Sequence, residues 1–109
     1  MYAQVINYTV SGMSEQEWKA ATEPHEPIIA GVPGLISKTW IADPATNSYG
    51  GLYLWESREA IDAFMQSELV RDLAANPAIS NLNARVFGVW EEHSRVTRGA
   101  AVPALAQRS

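Results

Sequence analysis

Residues 33–63, PGLISKTWIADPATNSYGGLYLWESREAIDA, constrain the fold more than any other part of the chain. Residues 35–42 form one run rich in β-formers and residues 49–56 form a second. Between them lies Asp43-Pro44-Ala45-Thr46-Asn47-Ser48, in which Pro, Asp, Asn and Ser favour turn backbones for separate reasons. The pair therefore reads as an antiparallel hairpin. Ser57 can then cap a helix that carries Ile61, Phe64, Met65 and Leu69 at helical spacing.

The flanks extend this pattern. Residues 2–10 alternate and contain Val5, Ile6, Tyr8 and Val10, so they predict a first strand. Ser14 and Glu17 are spaced for a capping box, and Met13 can staple onto Trp18. Pro24 and Pro27 must kink or restart the helix that follows, because each removes a backbone donor and clashes with the preceding turn. Gly31 and Pro33-Gly34 end it. Ser67 can cap a fresh start in the second helical region, Val70 and Leu73 continue its apolar face, and Asn76-Pro77 stops it. Residues 82–91 predict the last strand. The order strand-helix-strand-strand-helix-strand is the α+β, ferredoxin-like split βαβ: a four-stranded antiparallel sheet with the helices on one face. One domain over residues 1–92 is expected. Residues 93–109 lose the pattern and read as a C-terminal tail, flexible or serving as an arm on a partner subunit.

The hairpin decides which side chains share a face. With the turn centred near Ala45-Thr46, Lys38 falls opposite Tyr53, Trp40 opposite Gly51, and Ile36 opposite Trp55. All six then point the same way. Gly51 would leave room beside the Trp40 ring. An ammonium, a phenol, two indoles and a gap could sandwich a flat ligand and fix its oxygens. The same residues also allow a plainer arrangement, with the indoles in the core and Lys38 snorkelling past a strand edge. Asn7 interrupts an apolar strand, where asparagine is disfavoured. It either works in the site, ties two strands or faces solvent. His25, between Pro24 and Pro27, could stand at a pocket mouth as a proton carrier or be exposed and idle. His93 reads as surface. Arg85 could pair with a carboxylate across a dimer interface.

Composition narrows the function classes. A chain of 109 residues hides roughly two-thirds of its unfolded surface, so it folds alone with little surplus core. A net charge of -4 without a basic patch before residue 90 argues against nucleic acid as a partner. The chain has no cysteine, which excludes disulfides, thiol nucleophiles and thiolate-bound metals and fits a cytoplasmic location. No apolar run is long enough to span a membrane. Two histidines without matching carboxylate spacing make no metal site. No Gly-rich phosphate loop and no Gly-x-Ser-x-Gly elbow occur. No cofactor is therefore expected.

The runs Pro-Gly-x-x-x-Lys-x-Trp (Pro33, Gly34, Lys38, Trp40) and Gly-Gly-x-Tyr-x-Trp (Gly50, Gly51, Tyr53, Trp55) resemble those of the YdhR-like putative mono-oxygenases, a family of the dimeric α+β barrel superfamily. The resemblance spans residues 2–91. It implies a homodimer whose sheets pair through their uncovered faces. It also implies cofactor-independent mono-oxygenation of a small aromatic or polyketide-like substrate held between sheet and helices. On that reading Lys38 and Tyr53 address the substrate oxygens, Asn7 orients it and His25 moves protons, while Trp40, Trp55, Gly51 and Ile36 bind it. Distant superfamily members, such as quinone and haem-degrading mono-oxygenases, place an asparagine on the first strand and a tryptophan at the end of the third, where Asn7 and Trp55 fall. Haem ligation in such proteins uses a histidine on the second helix, and residues 61–75 contain none. An isomerase or cyclase on the same scaffold, or a non-catalytic dimer that sequesters a small hydrophobe, would use the same pocket.

Overall fold

A computed structural model describes residues 1–99. The chain runs β1 (Tyr2–Val10), α1 (Glu15–Thr22), α2 (Glu26–Ala30), β2 (Leu35–Asp43), β3 (Ser48–Trp55), α3 (Arg58–Met65), α4 (Glu68–Ala75), β4 (Ile79–Gly88) and α5 (Glu91–Val96). The four strands form one antiparallel sheet in the order β2-β3-β1-β4. This is the expected α+β, ferredoxin-like sheet. Among the described residues no helix is long and apolar enough to cross a membrane.

Local chemistry sets the helix limits. Ser14 and Glu17 form the capping box: the Ser14 amide donates to Glu17 Oε1 at 2.8 Å, and the Glu17 amide donates to Ser14 Oγ at 3.1 Å. The Glu17 carboxylate is held below its usual pKa first by the Ser14 amide and then by the Ser14 side chain. Both prolines act as expected. α1 stops at Thr22, a 3₁₀ turn with Pro24 in its first turn occupies Glu23–His25, and α2 restarts with Pro27 in the same role. Ser57 and Ser67 cap α3 and α4 through the Ala60 and Val70 amides.

The helices cover one sheet face. Its core contains Ile6, Tyr8 and Val10 from β1, Tyr49, Tyr53 and Trp55 from β3, and Trp18, Ile29, Ile61, Phe64 and Val70 from the helices. The other face is open and carries Leu52 and Phe87, 44% and 45% exposed.

Two stretches differ from the sequence reading. β4 begins at Ile79, three residues earlier than expected, and ends at Gly88. Asn76 Oδ1 accepts from the Ala78 amide at 2.9 Å, which turns the chain at once into pairing with Val10. A left-handed Asn81 (φ 54°) lies where the β1–β4 register shifts. Beyond the sheet, α5 forms over Glu91–Val96 without an apolar period, so the boundary expected at residue 92 falls inside a helix. Most of the expected 93–109 tail, residues 100–109, lies outside the described residues.

Candidate active site

The hairpin places its side chains largely as the spacing predicts. A 3₁₀ turn at Pro44–Thr46, closed by left-handed Asn47 (φ 53°), joins β2 to β3. Lys38 then pairs with Tyr53 and Trp40 with Gly51. Period-two alternation sends these side chains to the helix-covered face. They line a cavity of about 230 Å³ between sheet and helices.

Lys38 is the centre of this cavity. Its Nζ stands 3.4 Å from the centroid of the Trp40 ring and 4.9 Å from that of Tyr53. Such cation–π contacts strengthen as water is removed. Among the described residues no carboxylate forms an ion pair with it. Burial therefore acts unopposed by a counter-charge and pushes the Lys38 ammonium pKa down to about 8.

Gly51 makes that position possible. A Cβ there would lie 2.6 Å from Lys38 Cε and 2.9 Å from Tyr53 Cε1. The gap that was expected beside the Trp40 ring thus holds the lysine stem. Gly50 serves the backbone instead, since a Cβ on it would run into the Ile6 carbonyl of β1.

Tyr53 is buried and stacks on Trp55, with centroids 5.9 Å apart and rings 10° from parallel. Desolvation pushes its phenol well above the ordinary range, and neighbouring Tyr8 adds to the push. It stays a neutral donor across physiological pH. His25, half-buried at the end of the 3₁₀ turn, also lines the cavity.

Three expected site residues lie elsewhere. Trp55 is 0% exposed and packs on Phe64 at 5.2 Å; its indole N–H donates to Gln4 Oε1 at 3.0 Å. It belongs to the core and does not line the cavity. Ile36 does not face Trp55, because a register shift between Leu35 and Ser37 puts Leu35 there and takes Ile36 out of the alternation. Asn7 is exposed on the open face, because β1 turns Gln4, Ile6 and Tyr8 toward the helices.

The sequence reading missed four residues that shape the site. Tyr8 and Trp18 meet edge to face at 5.8 Å and line one wall. Met65 lines another, and its sulfur accepts from Gln4 Nε2 at 3.3 Å. The parity of β1 is the signal that would have found Tyr8 and Gln4.

The sequence matches the family described as putative mono-oxygenase ydhR over residues 4–100. No curated protein matches it. Several solved structures share its fold. SnoaB, a cofactor-independent oxygenase from Streptomyces nogalater, is 20% identical, with 81% of this chain and 91% of that one covered and a TM-score of 0.64. The haem degrader MhuD from Mycobacterium tuberculosis, solved with two haems in its active site, is 18% identical over 83% of this chain and 96% of that one, with a TM-score of 0.63. A putative antibiotic biosynthesis monooxygenase from Deinococcus radiodurans is 10% identical over 82% and 92%, with a TM-score of 0.67. At these identities the likeness is one of fold.

Proposed function

Since the chain belongs to the ydhR family of putative mono-oxygenases, we propose that it oxygenates a small, flat aromatic or polyketide-like substrate without a cofactor. The observation that carries this reading is the Lys38 ammonium held against the Trp40 and Tyr53 rings inside the cavity, with no carboxylate among the described residues paired to it. With a pKa of about 8, a useful fraction of Lys38 is neutral near physiological pH and can accept a proton.

The chemistry runs on the substrate's own electrons. An enolisable ketone or a polyphenol enters along Trp40, and neutral Lys38 takes its acidic proton. The resulting ammonium stays beside the enolate or phenolate oxygen, and the Tyr53 hydroxyl donates to the same charge. The electron-rich anion gives one electron to dioxygen, and the radical pair joins as a carbon-bound peroxide. Loss of water leaves a new carbonyl. For a methylene carbon the balance is CH₂ + O₂ → C=O + H₂O: one oxygen atom stays in the product and the other leaves as water. His25 lies on the cavity wall, where it can pass protons to solvent. The apolar walls, Ile6, Phe64 and Leu69 among them, keep water from the peroxide.

The open face supports a homodimer. Leu52 and Phe87 stand out from the uncovered side of the sheet, and pairing two such faces in a homodimer would bury both.

Turnover in anaerobic buffer is the test. Product is expected only with dioxygen, one O₂ consumed for each carbonyl formed. An unchanged rate without oxygen would instead make the chain an isomerase or cyclase.

A further inference from the structure

Trp40 stands between two hollows. Its ring borders the Lys38 cavity and also a second one, of about 270 Å³, beside α1. Tyr8, Trp18, Thr22 and Gly50 likewise line both, so the two share a wall. The first hollow alone, about 230 Å³, is small for a multi-ring ligand. A cavity of about 150 Å³ holds benzene, and pockets for drug-sized ligands span about 300–1,000 Å³. The two hollows together reach that range.

A residue on the wall of the second hollow carries a polar group that the described residues leave without a partner. Tyr49 lines it, paired with Ala42 across the β2–β3 hairpin. The side chain is 6% exposed, and its hydroxyl has no hydrogen-bond partner among the described residues. An unpaired buried hydroxyl costs about 1–3 kcal/mol. Phenylalanine would fill the same space without that cost, so the oxygen calls for a partner from outside the described residues.

We propose that the second hollow is a subsite for the far ring of a fused-ring ligand, and that ligand entry uncovers the Tyr49 hydroxyl, closed to water in this structure, so that it donates a hydrogen bond to a carbonyl, phenol or phenolate oxygen on that ring. The inference rests on the reading that the Lys38 cavity is the reacting site. It adds the residue that measures ligand length. Ala42 borders only the second hollow, so a larger side chain there closes it and leaves the first open. Exposed Glu15 and Lys19 stand on its α1 side and leave room for polar substituents.

The test is calorimetric binding in anaerobic buffer with two probes, 1-naphthol (two rings, one oxygen) and 1,8-dihydroxyanthrone (three rings, oxygens on both outer rings). Tyr49→Phe should weaken the anthrone about tenfold, the scale of one lost hydrogen bond, and leave 1-naphthol unchanged. Ala42→Leu should do the same by filling the hollow. Tyr49→Phe should also melt no lower than the wild type, since it removes a hydroxyl that has no partner among the described residues. Equal effects on both probes, no effect on either, no binding of the anthrone, or a lower melting temperature would each overturn the subsite. The catalytic reading fails separately: length-dependent binding without oxygen-dependent turnover sinks the mono-oxygenase and leaves the subsite standing. Turnover with a Tyr49→Phe variant that binds both probes normally does the reverse.

Discussion

Trp55 and Trp40 stand on neighbouring strands and face the same side of the sheet, yet one is sealed and the other half open. At the Trp55 end, Phe64 of α3 packs on the indole and Gln4 accepts its N–H, so the ring's one polar group is satisfied and the side chain is shut off from solvent. At the Trp40 end, Gly51 stands where a side chain would be, Trp40 is 42% exposed, and the space holds a lysine stem and a cavity. The difference lies in what stands opposite. Trp40 faces Gly51, while Trp55 is covered by a ring from a helix. The closed end supplies stability, and the open end keeps a charge in a poorly solvated place. A single sheet face can do both because its two ends are furnished separately.

Melting experiments probe this division most strongly. Trp55→Ala should cost about 3–5 kcal/mol, as for other buried aromatic truncations. Trp40→Ala should cost about 1 kcal/mol, because half of its surface is already in water. Equal losses would mean that the face is one continuous core. Lys38→Met comes next. It should lower turnover by about 10²–10⁴, the range for loss of a general base, while raising the melting temperature at pH 7. The sign follows from the depressed pKa. Between about pH 8 in the folded chain and about 10.4 in the unfolded chain, the unfolded state binds more protons, so wild-type stability rises with pH across that window. The gain from Lys38→Met should accordingly fade above about pH 10. Wild-type kcat/KM should climb with pH and level off above about 8. A flat profile would remove Lys38 as the base. The smallest effect is expected at Asn7, on the far side of the sheet: Asn7→Ala should leave turnover within about twofold, as for surface changes distant from a site. A larger loss would carry the site across the sheet and erase the contrast between its two faces.

The sequence carried most of the fold because local signals agreed with one another. Ser14 with Glu17, Ser57, Ser67 and the two prolines each set a helix limit by chemistry within a few residues. The hairpin register was legible because turn and alternation both placed Lys38 against Tyr53. Non-local facts were not. Nothing near Ile36 announces the bulge that removes it from the face. Ile6, Tyr8 and Val10 alternate with Asn7 and Thr9, so the parity of β1 was legible, but which of its two faces the helices would cover depended on the neighbours the strand met. The fate of Trp55 was set by Gln4 and Phe64, 51 residues before it and nine after. Composition alone does not say which indole a helix will cover.

Lys38 also rides on β2, which is bonded to a neighbour on one flank only, at the rim of the sheet. Rim strands detach at lower energy than central ones, so a guest could be admitted by a brief peeling of β2 while α3 and α4 stay seated. The doorway and the proposed base would then be parts of one moving segment. Whatever stiffens that rim would slow entry and chemistry together.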